Sequence, residues 1–309
     1  MKVLGYGDNV IDRFVDRRID YPGGNCVNFA VFAHQLQVSA GYLGAFGSDA
    51  SGRFLQAELA DIGLDLSRCV VRDGESGIAE VEVMRGERVF RGGNHGGVTV
   101  REPVVLGESE LAYISEFDLI HSSVYSTSET QLPKLARLDV LVSYDLSSEK
   151  RFRSSPYLDE VAAHVDLALL SCSDISEAET ELLLRDIVRR GFGMALGTRG
   201  DLGAMLFDGR NVYRTAAVPL DPRRGIADTM GCGDAFLAAF VVSLLRSGWS
   251  TRVDATPRSL VSALEAGAAH AATQCYVDGA FGHGRPLGAG EGETEPYGET
   301  ETEPGAVSR

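Results

Sequence analysis

Short apolar, β-branched runs recur along the sequence, and segments long enough to form a helix separate most of them. Two of these segments, 25–37 and 176–190, carry apolar residues near the period of an amphipathic helix. Strands that alternate with helices form a parallel sheet with helices on both faces. The sequence therefore predicts an α/β fold with a mostly parallel central sheet. Its predicted strands are 3–7, 41–46, 118–124, 140–144, 167–171 and 194–197.

Two stretches depart from this alternation. The segments 13–21 and 77–90 are short and charged, and the second partly alternates in polarity, as an exposed antiparallel strand does. We expect them to form a small β flap, or lid, beside the main sheet. The lid segments would cover about 13–22 and 77–97.

Acidic residues dominate the charge of the chain, which has 309 residues and a formal net charge of −15. Nucleic acid binding needs a basic face, so this balance argues against nucleic acid as a partner. Part of the charge comes from glutamates spread among Gly, Thr and Pro near the C-terminus, a composition that cannot bury enough apolar surface to fold. We expect a folded domain over 1–285 and a disordered acidic tail over 286–309.

The sequence contains no apolar run long enough to cross a membrane, and its first residues lack the features of a secretion signal. We therefore expect a cytoplasmic protein without a membrane partner. The cysteines are scattered and include no C-x-x-C pair, which indicates neither a disulfide framework nor a structural zinc site. They are Cys26, Cys69, Cys172, Cys232 and Cys275.

The strongest chemical signal is the segment 228–234, Asp-Thr-Met-Gly-Cys-Gly-Asp, which an apolar run follows at once. Gly231 and Gly233 let the backbone turn tightly where a helix begins, and the N–H groups of a first helical turn attract anions. A carboxylate at Asp234 suits a base that takes a hydroxyl proton beside a phosphoryl group held by those amides. The alternative is that Asp234 only caps the helix, for which Asp is a preferred residue.

Two common phosphate-binding loops are excluded. None of the three lysines follows a glycine, so the chain has no Walker A loop, and it has no intact G-x-G-x-x-G. If the chain binds ATP, another arrangement holds the phosphates.

A second motif, Gly-Gly-Asn-Cys-Val-Asn, occupies 23–28 at a predicted helix start. Asn25 and Asn28 lie three residues apart, on one face of the helix, and their amides can donate to and accept from sugar hydroxyls. Upstream, Asp12 follows the first strand near the sheet edge where α/β proteins bind ligands. The alternatives are a helix cap for Asn25 and a solvated loop charge for Asp12.

The two motifs together resemble those of the PfkB carbohydrate kinase family, which pairs Gly-Gly-x-x-x-Asn with Asp-Thr-x-Gly-Ala-Gly-Asp in this order. The resemblance runs from Lys2 to about Phe281 and implies a ribokinase-like fold with a lid. Within the family, the motifs at 7–12, 24–31, 228–231 and 279–281 are most similar to those of bacterial kinases that phosphorylate fructoselysine.

The resemblance also implies roles for individual residues. Asp234 would be the catalytic base, beside an anion hole made by the backbone amides of Gly231, Cys232 and Gly233. The sugar would contact Asp12, Gly23, Gly24, Asn25 and Asn28. The nucleotide would contact Thr198, Gly200, Gly203 and Gly267. The implied cofactors are ATP, Mg²⁺ held through water by Glu177, and K⁺ near Asp228.

The sequence departs from the family pattern at two of these places. Cys232 replaces the usual Ala, a change that should be tolerated because the family uses the backbone amide. The family's Asn-x-x-Glu motif, which organises the magnesium waters, begins here with Asp174 and keeps only Glu177.

Several functions stay open at this stage. The leading one is phosphorylation of a fructosamine such as fructoselysine on its terminal hydroxyl, with Asp8 and Asp16 as candidates to pair with the substrate ammonium. The alternatives are a kinase for a ribose-like sugar, a fructose-like sugar or a nucleoside, and a non-catalytic sugar sensor with the same fold. The assembly state is open too, with a homodimer through the lid as one alternative.

Overall fold

A large twisted sheet forms the centre of the molecule in the computed structural model, which describes residues 1–84 and 87–288. The strands are β1 (Lys2–Gly7), β2 (Val10–Phe14), β3 (Ile19–Gly23), β4 (Ser39–Gly47), β5 (Val70–Arg72), β6 (Ile78–Met84), β7 (Glu87–Gly93), β8 (Leu119–Ser123), β9 (Leu141–Asp145), β10 (Leu167–Ser171), β11 (Met194–Thr198), β12 (Ala204–Phe207), β13 (Val212–Thr215) and β14 (Arg285–Pro286). The helices are α1 (Asn25–Gln35), α2 (Ala50–Ile62), α3 (Gly97–Arg101), α4 (Glu108–Ile114), α5 (Leu132–Leu135), α6 (Ser155–Val161), α7 (Glu177–Arg189), α8 (Cys232–Arg246) and α9 (Pro257–Gln274).

The main sheet has the strand order β13-β12-β11-β10-β9-β8-β1-β4-β5. All neighbours from β11 to β5 are parallel, whereas β12 and β13 are antiparallel additions at one edge. The predicted strands coincide with β1, β4, β8, β9, β10 and β11 to within two residues at each end. The predicted α/β fold with a mostly parallel sheet is confirmed.

Successive side chains of the central strands enter opposite cores. Leu119 and Leu141 pack into the core that α1, α2, α8 and α9 cover, whereas their neighbours Ile120 and Val142 pack into the core beneath α4, α5, α6 and α7. This alternation follows from the two-residue period of a strand. It explains why these strands read as continuous apolar runs in the sequence.

Helix α8 packs between α1 and α9, and its residues 235–242 are all buried. The packing against α9 is close at Gly267. A Cβ atom added there would lie 2.6 Å from the ring of Phe236. The absence of a side chain at Gly267 therefore allows α9 to pack closely against α8 at Phe236, two residues after Asp234.

The lid is a second sheet with the strand order β14-β3-β2-β6-β7. Strands β6 and β7 lie within the predicted lid segment 77–97, and β3 overlaps the end of the segment 13–22. Strand β2 begins at Val10, three residues before that segment. Strand β14 also belongs to it, because Arg285 pairs with Asp20 and Pro286 with Ile19. The predicted tail thus begins inside β14, and its residues 289–309 lie outside the described part of the chain.

Among residues 1–84 and 87–288, none of the helices is long and apolar enough to span a membrane.

Candidate active site

The carboxyl ends of β1, β8 and β9 meet at one edge of the main sheet, and a buried carboxylate lies at their centre. Asp8 follows β1 directly and is 7% exposed. One of its oxygens accepts hydrogen bonds from the hydroxyls of Ser123, at 2.7 Å, and Ser126, at 2.8 Å. The other accepts from the backbone amide of Asn25 at 2.6 Å. Asp8 therefore joins two strand ends to the start of α1.

The start of α1 brings the predicted sugar-binding residues to this edge. Gly24 is the N-cap residue, with a φ of 110° that disfavours any side chain, and Asn25 is the first helical residue. The side-chain amide of Asn25 donates to the carboxylate of Asp145 at the end of β9. The alternative in which Asn25 merely caps the helix is therefore wrong.

The start of α8 places Asp234 opposite α1. Gly231 is its N-cap residue, with a φ of 70°, and Asp234 is the third residue of the helix. The Asp234 carboxylate makes no cap bond to α8, and instead accepts a hydrogen bond from Nδ2 of Asn28 at 2.8 Å. The alternative in which Asp234 serves as a helix cap is therefore wrong. Residues about 200 positions apart in the sequence form one site.

The surroundings of Asp234 raise the pKa of its carboxyl. Its side chain is buried, and burial followed by the negative charge of Asp145 raises the pKa of its carboxyl well above the ordinary value. The hydrogen bond from Asn28 opposes this rise because it stabilises the charged form. Burial also raises the pKa of Asp145, from 3.8 to about 6. A carboxylate with a raised pKa is a stronger base for a hydroxyl proton.

Asn28 leaves one buried acceptor next to Asp234. Its side chain is 4% exposed, and its Oδ1 has no hydrogen-bond partner among the described residues. An unpaired buried carbonyl costs about 1–3 kcal/mol, so such a group usually has a ligand to bind. A hydroxyl that donates to this oxygen would lie beside the carboxylate of Asp234.

The first turn of α8 presents its N–H groups at an open position. A Cβ atom added at Gly233 would meet no heavy atom within 4 Å, whereas one added at Gly231 would lie 2.9 Å from the Cβ of Ala280. The N–H groups of the first helical turn have no partner within the helix and favour an anion. This geometry fits the predicted anion hole at Gly233, whereas the amide of Cys232 donates to the carbonyl of Thr229 at 3.4 Å. The part of Gly231 and Cys232 in the anion hole stays a prediction.

The predicted contacts on the lid side also lie close together. Asp12 is on β2 and is 5% exposed, so it is not a solvated loop charge. A Cβ atom added at Gly23 would lie 2.2 Å from Oδ2 of Asp12, which shows that this carboxylate rests against the backbone of β3. The turn between β2 and β3 reaches the catalytic motif, because Arg17 donates to the carboxylate of Asp278 at 2.8 Å and to the carbonyl of Ala227 at 3.4 Å.

The predicted nucleotide contacts divide into two groups. Thr198, at the end of β11, and Gly200 and Gly203, in the turn before β12, lie at the same sheet edge. Gly267 instead lies on α9 against Phe236, so the structure shows it in helix packing. The carboxylate of Asp228 accepts from the backbone amides of Thr229 at 2.7 Å and Met230 at 2.9 Å. These bonds hold the turn that leads into α8.

The predicted magnesium residue, Glu177, is the first residue of α7, and its carboxylate accepts from Nε of Arg214 at 2.8 Å. Among residues 1–84 and 87–288, no group of three or more His, Cys, Asp or Glu side chains could hold a metal ion. This arrangement fits Mg²⁺, because that ion keeps several waters and binds through one or two carboxylates together with nucleotide phosphates. It does not fit a metal held by protein side chains alone.

One residue of the site, Asp145, and one residue beside it, Cys275, are not predicted by the sequence motifs. Asp145 ends β9, and the rule that ligands bind at the carboxyl ends of parallel strands could have identified it. Cys275 follows α9, and its sulfur lies 3.5 Å from that of Cys232. No spacing in the sequence signals this second contact, because the two cysteines lie on different elements.

Known proteins share these motifs and this fold. The chain matches the model described as "pfkB family carbohydrate kinase" over residues 15–281. It is 37% identical to fructosamine kinase FrlD of Bacillus subtilis (strain 168), over 93% of this chain and 95% of that protein. It is 30% identical to fructoselysine 6-kinase of Escherichia coli (strain K12), over 91% of this chain and 100% of that protein.

A solved structure shows the same fold. The structure of Arabidopsis thaliana ribokinase complexed with ribose and ATP superposes with a TM-score of 0.70 at 19% identity, over 90% of this chain and 93% of that one. The family match covers most of the chain and includes both motifs of the site. The chain therefore belongs to the pfkB family of carbohydrate kinases.

Proposed function

We propose that this kinase transfers the γ-phosphoryl group of ATP to the terminal hydroxyl of a fructosamine, with fructoselysine as the leading substrate. The proposed phosphoryl transfer rests on one observation, the hydrogen bond between Asn28 and Asp234. The Nδ2 of Asn28 donates to the base, and its Oδ1, which has no partner among the described residues, can accept from a neighbouring sugar hydroxyl while the reacting hydroxyl donates to Asp234. The fructosamine part is supported by the 37% and 30% identical relatives, whose names state that specificity.

The proposed reaction is an in-line displacement. Asp234 takes the proton of the substrate hydroxyl, and the hydroxyl oxygen forms a bond to the γ-phosphorus while the bond to the bridging oxygen of ADP breaks. The N–H groups at the start of α8 stabilise the charge on the transferring group. Asn28 and Asn25 orient the sugar through their amides. The products are ADP and the sugar phosphate, and Asp234 returns its proton to solvent.

Two cations complete the proposal. Magnesium neutralises phosphate charge when it is bound with ATP, and Glu177 is the residue to hold one of its waters. One oxygen of the Glu177 carboxylate accepts from Arg214, and its second oxygen is the one proposed to hold the water. Potassium is the proposed monovalent cation near Asp228, whose carboxylate is 6% exposed and braces the turn before α8.

The structure gives Asp8 a task other than pairing with the substrate ammonium. Its oxygens already accept from Ser123, Ser126, the Cys26 thiol and the Asn25 amide. Asp16 is exposed in the turn between β2 and β3 and stays a candidate for that contact. An exposed ion pair between Asp16 and the substrate ammonium would contribute about 1 kcal/mol or less to binding. Such a contact would adjust the preference for a fructosamine over a plain sugar but would not by itself create it.

A non-catalytic sensor is disfavoured by the same geometry. A sensor needs the sugar contacts of Asn25 and Asn28 but has no use for a buried carboxylate with a raised pKa at an anion site. A buried, charged Asp234 lowers the stability of the fold, and a protein that only senses a sugar would gain nothing from keeping this residue.

The test is a coupled assay of ADP release with fructoselysine, ribose, fructose and adenosine as acceptors. We expect kcat/KM to be highest for fructoselysine, and NMR of the product should locate the phosphate on the terminal carbon. The Asp234→Asn variant gives the background rate in each case. If an unsubstituted sugar or a nucleoside is preferred by about tenfold, some 1.4 kcal/mol, the fructosamine assignment is wrong and the kinase assignment stands.

A further inference from the structure

The start of α8 carries a pair of thiols. The sulfur of Cys232, the first residue of α8, lies 3.5 Å from the sulfur of Cys275, the residue that ends α9. Both side chains are partly exposed. The thiol of Cys275 also donates to the carbonyl of Ala271 at 3.6 Å. Of the three other cysteines, Cys69 donates to the carbonyl of Tyr42 at 3.1 Å and Cys26 to Asp8 at 3.0 Å.

The surroundings of the pair favour a reactive thiolate. The hydrogen bond from Cys232 lowers the pKa of the Cys275 thiol from 9.0 to about 7. Burial acts in the opposite direction on the remaining thiols, and it raises the pKa of Cys172 to about 11 and that of Cys69 to about 12. The thiolate is the nucleophile in disulfide exchange, so Cys275 should react before the others near neutral pH.

We propose that Cys232 and Cys275 form a reversible disulfide that switches the kinase off. The contact between the sulfurs, their access to solvent and their place at the anion site carry this inference. It depends on the phosphoryl-transfer activity of the family and not on the identity of the sugar.

The inhibitory effect follows from the position of Cys232. An S–S bond is about 2.05 Å long, so the sulfurs must approach each other by more than about 1 Å from their present separation. Cys232 lies in the turn that presents the anion-binding amides, two residues before Asp234. The carbonyl of Cys275 already accepts from the amide of Ala227 at 3.0 Å, which ties the same segment to α9. A displacement of about 1 Å in a catalytic group can lower the rate about 100-fold.

The exchange chemistry balances with a small disulfide as oxidant. The Cys275 thiolate attacks one sulfur of the oxidant, whose S–S bond breaks and releases one thiolate. Cys232 then loses its proton to solvent and attacks the Cys275 sulfur of the mixed disulfide, which releases the second thiolate. Two protein thiols are oxidised, and one small disulfide is reduced to two thiols. A dithiol reductant reverses both steps.

The test treats the full-length kinase with oxidised glutathione, then follows ADP release and maps disulfides by mass spectrometry of tryptic peptides. Several arginines between positions 232 and 275 allow trypsin to separate the two cysteines. We expect a Cys232–Cys275 peptide, a loss of kcat of about 100-fold and full recovery with dithiothreitol. ATP should slow the reaction if the phosphates occupy the turn.

Variants separate the switch from general oxidation damage. Cys275→Ser should keep the parental activity before and after treatment, because Cys275 is not among the residues proposed to bind the sugar, the phosphates or magnesium. Cys69→Ser, the matched control, should lose activity as the parent does. In Cys232→Ala the linked peptide should be absent. The proposal is overturned if the parent stays active with the link in place, if only mixed disulfides form, or if Cys275→Ser is inactivated as fast as the parent.

Discussion

Replacing Asp145 with Asn should make the protein more stable at high pH. Asp145 is 7% exposed, and its carboxylate accepts hydrogen bonds from the amide of Ser147, at 2.6 Å, and from Asn25. An asparagine side chain can keep both contacts, because its oxygen can face Ser147 and its amide can donate to Asn25 once that side chain rotates. The substitution therefore removes a buried charge and leaves the local hydrogen bonds in place.

The size of the effect follows from the pKa of Asp145, which burial raises from 3.8 to about 6. A carboxyl whose pKa is raised in the folded state destabilises the fold wherever it is ionised. The cost is complete above the folded pKa and disappears below the unfolded one. A shift of about 2 units corresponds to about 3 kcal/mol at pH 8, and to roughly half of that at pH 5. At roughly 2 °C per kcal/mol, Tm should rise by about 6 °C at pH 8.

The measurement is thermal unfolding by circular dichroism at several pH values between 5 and 8. The parent, Asp145→Asn and Asp16→Asn are compared, since Asp16 is an exposed aspartate and should change Tm little at any pH. The difference between Asp145→Asn and the parent should shrink steadily as the pH falls. A variant that is less stable than the parent at pH 8, or a difference that does not depend on pH, would refute this reasoning.

Three further predictions concern catalysis. Asn28→Ala removes the hydrogen bond that stabilises ionised Asp234, so kcat/KM should fall about tenfold or more. The acidic limb of the profile of kcat/KM against pH should also move to higher pH, because the pKa of Asp234 rises. An acidic limb that does not move contradicts the hydrogen bond between Asn28 and Asp234. Asp234→Asn should lower kcat about 100-fold with ATP binding changed only a few-fold, and a near-normal kcat excludes Asp234 as the base. Glu177→Gln should raise the Mg²⁺ concentration needed for half-maximal rate. The control, Arg214→Ala, should not raise it, because this variant removes the cation bound to Glu177 and leaves the carboxylate in place. If the parent and both variants need the same Mg²⁺ concentration, the metal is held elsewhere.

Local signals in the sequence predicted the α/β fold and indicated Asn28 and Asp234, which the structure places in contact and whose catalytic roles stay predictions. The strands were found because residues buried on both faces of a parallel sheet form continuous apolar runs, and the lid was found because its segments break that pattern. Asp234 and Asn28 were identified because each motif combines glycines with a polar side chain at a helix start. Both features are local in the sequence, so a single chain is enough to read them.

The remainder depends on which elements meet in space. The sequence could not show that Asn25 binds Asp145, that Glu177 binds Arg214 or that Gly267 accommodates Phe236, since each pair joins separate elements. Asp8 illustrates a second difficulty. A carboxylate at a strand end is typical of a ligand site, but whether it binds a ligand or braces the fold depends on hydroxyls far along the chain.

Strand β14 has a consequence for the order in which this protein folds during its synthesis. A chain leaves the ribosome from its N-terminus, yet β3 obtains one of its neighbours only from Arg285 and Pro286. Helix α1 likewise meets α8 only late, because α8 begins at Cys232. A nascent chain that ends before Cys232 lacks β14 of the lid and the proposed base, Asp234, so such a truncated product should not phosphorylate sugar. The residues that complete the lid are thus among the last of the described residues to be made.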